Sequence, residues 1–397
     1  MDKNCVILDD CLNTIKNIQA NSIDLIYLDP PFFTNKIQRQ TTKDRNKILS
    51  FNDNWKDDNE YANFLFVRFV EFHRILKESG SIFVHCDINA NHTIRLLLDS
   101  VFGAKNFQSE IIWIYKRWSN AKKGLLRSHQ NIYFYSKSRN FTFNFIYQNY
   151  SPTTNIDQIL QQRKRDSFGK SIYARDDNGE IIMSESKKGV PLSDVWDIPY
   201  LNPKARERVH YPTQKPIALL ERIIQIASNE GDLLLDPFCG SGTTLLAAKL
   251  NNRHFIGIDT SQEAVKISKE RLTNPIKSQS VVLNKGREFF LNQQINLKKY
   301  ILDIEFIPVQ RHNGIDAILK EFYNNAPIFI KIQRDNESLD ESYQKLQQAV
   351  ESKKSQKSFL IQTHNRADSL VKFHFSNPNI HIVKNIFTIK EYQNAKS

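Results

Sequence analysis

Asp29, Pro30, Pro31 and Phe32 form the stretch of this 397-residue chain whose residue types could act together on a substrate. The acid accepts hydrogen bonds, the prolines fix the direction of their carbonyls, and the ring offers a flat face. Such a set suits a planar ring bearing an exocyclic amine. The Asp29 carboxylate and the Asp29 or Pro30 carbonyl take the amine hydrogens while Phe32 stacks on the ring. Alone the signal is weak, because a Pro-Pro turn after a strand is ordinarily only a turn.

A second constellation changes that balance. Leu233-Leu234-Leu235-Asp236-Pro237-Phe238-Cys239-Gly240-Ser241-Gly242-Thr243-Thr244 runs from an apolar strand through a glycine-rich loop into a helix beginning Leu245-Leu246-Ala247-Ala248. Glycines let backbone approach a ligand closely, and a helix N-terminus favours an anionic group. The spacing is not the full G-x-G-x-x-G fingerprint, so a nicotinamide ligand is poorly supported. Phe255-Ile256-Gly257-Ile258 reads as the next strand, with Asp259 at its tip. An acid about 20 residues past a glycine loop can hold both ribose hydroxyls. The ligand would carry a ribose and a carboxylate, and S-adenosylmethionine has both.

DPPF, the YPTQKP run Tyr211–Pro216 and DPFCGSGTT (Asp236–Thr244) together resemble the motifs of amino-methylating DNA methyltransferases, which act on adenine N6 or cytosine N4. With the catalytic motif ahead of the cofactor motif, the order is similar to that of the β group. The resemblance covers roughly residues 1 to 275. It implies that Asp29, Pro30, Pro31 and Phe32 are catalytic. It also implies that Asp10, Lys215, Asp236, Phe238, Gly240, Ser241, Gly242, Thr243 and Asp259 hold S-adenosylmethionine, Asp10 near the adenine and Lys215 near the methionine end. For Asp10 a helix N-cap is an equal reading. An Asp heading the first motif associates more with adenine than with cytosine, so N6 of adenine in duplex DNA is the expected target. Cytosine N4 is the alternative, and RNA a more distant one.

The elements that must position these residues follow an α/β pattern. Ile23–Leu28 reads as a buried strand of a parallel sheet, and the prolines end it at its carboxyl edge, where α/β sheets bind ligands. Cys5–Leu8 reads as strand, Leu12–Ile18 as helix, and Glu60–Lys77 as a helix with Tyr61, Phe64, Leu65, Val67, Phe69 and Phe72 facing the core. The polar run Thr34–Trp55 reads as a lid or an unstructured loop. His85, Cys86 and Asp87 end the strand from Gly80; adjacent strand residues point to opposite faces, which speaks against a triad and for polar residues at the DNA-side rim. Ile94–Phe102 reads as helix and Glu110–Tyr115 as the last strand of this half.

Residues 111–210 carry 17 Lys and Arg against 9 Asp and Glu, a net +8 of the chain's +12. One sign of charge concentrated between two motifs argues for phosphate contact, with Lys116, Arg117, Lys122, Lys123 and Arg127 as candidates and Trp113, Tyr115, Trp118, Tyr133, Phe134 and Tyr135 interleaved. The expected organisation is a catalytic half (1–115), a target recognition region (116–210), a cofactor-binding half (211–275) and a small C-terminal α/β domain (276–397). The fold class is a Rossmann-like methyltransferase sheet with that insertion. In the C-terminal part, Ile301–Val309, Pro327–Ile332, Ser358–Thr363 and Ile380–Val383 read as strands, and Ile315–Tyr323 and Leu339–Ser352 as helices. Gly314-Ile315-Asp316 with Ile332-Gln333-Arg334 weakly resembles the core of Mrr-like nucleases. Arg334 stands where a lysine would help activate water, and arginine stays charged, so a DNA-binding or dimerising domain is expected instead.

Duplex DNA is the expected partner; a companion restriction endonuclease and a second copy of the chain are candidates that the sequence leaves open. Cys5, Cys11, Cys86 and Cys239 lack metal-ligand pairing and fit a reducing cytoplasm, so no metal is expected. The first residues show no signal-peptide pattern, and no apolar run is long enough to span a membrane.

Overall fold

The computed structural model describes residues 2–41, 48–115, 124–148, 160–184, 189–202, 204–209, 211–278, 297–309, 312–335, 337–364 and 377–384. The chain divides into two compact units, Met1–Asn284 and Lys285–Ser397.

The first unit is built on an eight-stranded sheet. In chain order its strands are β1 (Cys5–Leu8), β2 (Ile23–Leu28), β3 (Leu76–Cys86), β4 (Phe107–Ile114), β5 (His129–Ser136), β6 (Val195–Asp197), β7 (Leu233–Asp236) and β8 (His254–Asp259). Across the sheet they lie in the order β1-β8-β7-β2-β3-β5-β4-β6. All pairings are parallel except those of β5 with β3 and β4, so β5 alone runs against the rest. The switch point lies between β7 and β2. From β2 the chain proceeds to β3 on one side, and from β7 to β8 on the other. The crevice at the carboxyl ends of such a pair is the usual ligand site, and Asp29 and Asp236 sit there.

Period-two alternation explains how β2 serves both faces. Leu25 and Tyr27 join the core beneath helices α4 (Ile217–Ala227) and α5 (Thr243–Leu250). Ile26 and Leu28 join the other core, beneath α1 (Cys11–Ile15), α2 (Asp58–Ile75) and α3 (Asn91–Leu98). Side-chain caps fix the helix starts: Asp57 accepts from the Glu60 N–H at 2.9 Å, and Ser261 caps α6 (Gln262–Thr273) by accepting from Ala264 at 3.3 Å.

Several expectations need correction. Thr34–Trp55 is not a plain loop: Lys36–Thr41 and Ile48–Asp53 pair as an antiparallel hairpin. Paired strands satisfy backbone without the apolar run that reveals a core strand. Val67 is exposed, because α2 buries the stripe Tyr61, Leu65, Arg68, Phe69 and Phe72. The sheet does not stop at residue 115: β5 sits between β3 and β4, and Trp113, Tyr115, Tyr133, Phe134 and Tyr135 are core residues. Those aromatics cannot stack on nucleic acid. His85 is fully buried instead of lying at a polar rim.

The second unit has its own five-stranded sheet, in the order β9 (Phe306–Pro308), β10 (Ala317–Tyr323), β11 (Ala326–Ile332), β12 (Ser358–Gln362), β13 (Ile380–Lys384). The first three strands pair antiparallel and the last three parallel, the helix α7 (Leu339–Lys353) making the crossover. Ile315–Tyr323 is thus a strand where a helix was expected. Asn324 and Asn325 both have positive φ (48° and 60°) and close a two-residue hairpin, a turn that asparagine pairs favour. The Asp316 carboxylate is bonded to Lys331 (3.3 Å), to the Ile332 N–H (2.8 Å) and to Arg334 (3.0 Å). Lys331, fully buried, also reaches Glu337 at 3.0 Å, as does Lys345 at 2.9 Å. Burial pushes the Glu337 carboxyl up, but these lysines outweigh it and hold the group down at about 2.

Candidate active site

The sharp end of β2 delivers Asp29 into a cleft of about 650 Å³. Twelve of the thirteen catalytic and cofactor candidates line it: Asp10, Asp29, Pro30, Pro31, Phe32, Lys215, Asp236, Phe238, Gly240, Ser241, Thr243 and Asp259. Gly242, the thirteenth, lies behind the wall. There, φ of +70° turns the chain into α5, and a Cβ would meet Ser268 Oγ at 2.6 Å. A volume of this size suits a ligand of nucleoside dimensions.

Asp29 is the centre of the charged network. Lys215 Nζ donates to Asp29 Oδ2 and to the Thr213 carbonyl at 3.3 Å, and it stands 5.4 Å from the centre of the Phe32 ring. The structure thus joins Lys215, expected to line the methionine end of the cofactor pocket, to the Asp29 carboxylate within the same cleft. Burial pushes the Asp29 carboxyl above its ordinary range, and the Lys215 ammonium pulls it part of the way back. Asp29 Oδ1 is buried without a hydrogen-bond partner. The Pro31 carbonyl, which was not one of the expected amine acceptors, is tied to the Tyr61 hydroxyl at 2.8 Å.

Behind Phe32 lies His85, its ring centre 6.0 Å away. Its Nε2–H donates to Gln130 Oε1 at 3.1 Å, and Nδ1 accepts from the Tyr27 hydroxyl at 3.0 Å. Burial, reinforced by the nearby Lys215 charge, holds the imidazole well below its ordinary value, so the ring is neutral. Cys86 belongs to the opposite core, which removes any His–Cys couple. Phe33 follows with a φ of +57°, rare for a bulky residue. Asp53, at the foot of the hairpin, holds that conformation by accepting from the Phe33 N–H (3.0 Å) and the Thr34 N–H (2.9 Å). Nothing in the sequence marked Asp53 for this role, since the two N–H groups it holds are 20 and 19 residues away, although the nearby Trp55 indole N–H also donates to it at 3.0 Å.

The glycine loop forms the opposite wall. At Gly240, φ is +48° and a Cβ would sit 3.0 Å from the Tyr211 ring, so YPTQKP and the loop are pressed together. Asp259 accepts from the Gly240 N–H (2.8 Å) and the Ser261 N–H (2.8 Å), one on each oxygen, and each oxygen keeps a lone pair for a ribose hydroxyl. Asp10 does cap α1, accepting from the Leu12 N–H at 2.8 Å, and both its oxygens also accept from Arg68 Nη2 at 2.7 Å. Arg271 reaches from α6 and donates to the Ser241 carbonyl (2.6 Å) and Thr243 Oγ1 (2.9 Å). Burial lowers its guanidinium to about 10, against the pull of Glu207. Arg68 and Arg271 carry no motif signature, although each is a charged residue on an otherwise apolar helical stripe.

Asp236 points inward beneath the loop and accepts from the Phe238 N–H at 3.1 Å. Burial pushes its carboxyl up to about 7. An unfolded chain releases this proton near the ordinary value. Between about pH 4 and about pH 7 the folded protein therefore holds more protons and loses stability as pH rises, by about 1.4 kcal/mol for each pH unit. Asp236→Asn keeps the acceptor and removes the titration. Its melting temperature is expected to gain on the wild type's from pH 5 to 8; a constant difference would place this carboxyl's titration elsewhere.

Lys116, Arg117, Lys122 and Lys123 lie outside the described residues. Arg127 is exposed and its charge acts on Asp87. Among the described residues no group of three His, Cys, Asp or Glu is placed to hold a metal ion, and no helix is long and apolar enough to cross a membrane.

The DNA methylase family profile matches residues 23–270. The type II methyltransferase M.HpaI of Haemophilus parainfluenzae is 33% identical over 67% of this chain and 73% of that protein. The DNA adenine methyltransferase YhdJ of Escherichia coli is 33% identical over 67% of this chain and 82% of that protein. A solved M1.HpyAVI–SAM complex matches with a TM-score of 0.42 and 20% identity over 68% of this chain and 98% of that one. The glycine loop without room for a side chain, the ribose-competent Asp259 and the nucleoside-sized cleft fit S-adenosylmethionine, the family's cofactor. With its motifs gathered in one cleft and the profile spanning seven of the eight strands, from β2 into α6, this chain belongs to the N6-adenine/N4-cytosine DNA methyltransferase family.

Proposed function

We propose that the chain methylates the N6 amino group of adenine in duplex DNA and serves as the modification component of a restriction system, with a restriction endonuclease as its companion. The observation that carries this is the buried Asp29 carboxylate, one oxygen unpartnered, facing the glycine-loop wall of a single cleft. The adenine preference rests on the Asp heading DPPF and on the likeness to a relative named as an adenine methyltransferase.

A base inside a duplex cannot reach this cleft, so it must be flipped out of the stack. Phe32 then offers a face for the purine, and Asp29 and the Pro30 carbonyl accept the amine hydrogens. Those bonds oppose conjugation of the nitrogen lone pair with the ring. Bound S-adenosylmethionine supplies a methyl group on a sulfonium sulfur, and the amine lone pair forms the new N–C bond as the C–S bond breaks. Asp29 is placed to take the displaced proton, directly or by relay to water. Neutral His85 and the Tyr27 hydroxyl hold the floor beneath Phe32. Positioning carries much of the rate. No cysteine adduct is required, because an amine nitrogen is itself a nucleophile.

Residues 116–210, apart from the sheet strands β5 and β6, are read as the target recognition region, its basic residues gripping phosphate. The C-terminal unit is read as a DNA-holding or dimerising domain and not a nuclease, since Asp316 is already paired with Lys331 and Arg334.

Incubation of unmethylated DNA with the protein and S-adenosylmethionine, followed by nucleoside mass spectrometry, is expected to yield N6-methyladenine. N4-methylcytosine would keep the mechanism and overturn the base. Methyl transfer to RNA alone would overturn the DNA substrate.

A further inference from the structure

Lys215 makes contacts that a cofactor-holding lysine does not need. Its side chain is only 6% exposed and is packed between Asp29, the Phe32 ring and the Thr213 carbonyl. The chain is bent to place it there. Thr213, a β-branched residue, has a φ of +60°, a conformation that costs energy and persists only where its surroundings enforce it. Gln214 supplies the enforcement: its amide donates to the Glu207 carbonyl at 2.7 Å and accepts from the Val209 N–H at 2.9 Å. Pro216 then stands at the N-cap position of α4 with extended backbone, φ −68° and ψ 139°. Thr213 and Gln214 thereby help to hold one ammonium against one carboxylate.

The charges around Asp29 come from every element that packs on it. Tyr27 lies on its own strand, His85 and Cys86 on β3, Tyr211 and Lys215 on the segment before α4, and Asp236 on β7. Burial keeps both tyrosines and Cys86 protonated and His85 neutral, so among these groups Lys215 alone is cationic. Asp236 can add only negative charge. Without Lys215, a carboxylate buried in this way would take up a proton.

We propose that Lys215 is a positioning residue for Asp29: it keeps the carboxylate ionised, fixes Oδ2 and so presents Oδ1 to the target amine. The proposal rests on the methyltransferase reading for the amine but not for the ion pair itself. Occupied by Lys215, Oδ2 is withdrawn from the substrate, and the unpartnered Oδ1 is the oxygen left to accept a hydrogen. Loss of the ammonium raises the pH above which Asp29 is ionised, and the acid limb of the reaction moves up with it.

The test uses Lys215→Met, Lys215→Gln and Lys215→Arg in the full-length chain. Carbon-13 labelling of aspartate carboxyls, with the Asp29 signal assigned by its absence from Asp29→Asn, follows the Asp29 titration in protein free of DNA and cofactor. The Met and Gln variants are expected to titrate at least one pH unit higher than wild type, and the Arg variant near it. Single-turnover methylation should fall more than tenfold at pH 6.5 in the Met and Gln variants and recover as pH rises. Calorimetric S-adenosylmethionine affinity should stay within about threefold, a change worth under 1 kcal/mol. An unmoved Asp29 titration overturns the proposal, as does a tenfold loss of cofactor affinity with an unmoved acid limb, which would assign Lys215 to the cofactor. If wild-type protein methylated no nucleic acid, the proposed function would fail while the carboxyl titration still decided the ion pair.

Discussion

Asp29→Ala is expected to reduce methyl transfer by roughly a thousandfold or more, the upper range for losing a positioned acceptor group, while cofactor binding stays largely intact. The two effects separate because the walls of the cleft are separate. The proposed cofactor side rests on Asp259, Gly240 and Ser241, and the last two are fixed by Arg271, Ser268 and the turn into α5. Asp29 contributes to none of those bonds; its carboxylate is paired with Lys215. The alanine variant leaves the Lys215 ammonium buried without its anion, which costs about 3–5 kcal/mol in comparable cases, so a melting curve must accompany the assay. Asp29→Asn keeps the shape and an acceptor oxygen, and should bind S-adenosylmethionine within about threefold of wild type while transferring far more slowly. Loss of both activities in an asparagine variant that melts normally would remove Asp29 from the catalytic role.

The parts of the site legible in the sequence were those written as local patterns. A strand closed by two prolines, a glycine loop between strand and helix, and an acid at the next strand tip are each short, and the sheet topology brings all three to one edge. Lys215 was legible as a site residue but not as the partner of Asp29. Their contact spans 186 positions and depends on the twist at Thr213, which no propensity predicts. Asp53 was hidden for the same reason, just past the short apolar stretch 48–51 inside an otherwise polar run whose hairpin pairing was not read. The aromatic stretch Tyr133–Tyr135 misled because its basic neighbours suggested nucleic acid, whereas β5 has sheet neighbours on both sides and buries both of its faces. The strand Ala317–Tyr323 was read as helix because its apolar residues do not alternate strictly. The asparagine pair that closes its hairpin was the better signal.

Gly242→Ala should damage the glycine-loop wall while leaving the Asp29 network in place. Two costs add at this position. At a φ of +70° any residue with a Cβ is strained, by about 1–2 kcal/mol. The new Cβ would also meet Ser268 at 2.6 Å from Oγ, 2.8 Å from Cβ and 3.1 Å from Cα, so rotating the serine side chain does not clear it. Either α6 moves away or the turn opens. Ser268 Oγ donates to the Gly240 carbonyl at 2.8 Å, and Arg271, one turn further along α6, holds Ser241 and Thr243, so both responses disturb the loop that faces the cofactor. The expected result is a loss of at least tenfold in S-adenosylmethionine affinity, with destabilisation in the upper part of the usual range for point mutants, about 3 kcal/mol. Gly231→Ala is the internal control: its φ is +82°, but nothing lies within 4 Å of its Cβ, so it carries the strain without the collision. Ser268→Gly combined with Gly242→Ala removes the obstructing side chain and should recover part of the affinity, though not the strain. Equal losses at Gly231 and Gly242, or no recovery in the double variant, would mean that backbone conformation and not the packing of α6 sets the shape of the loop.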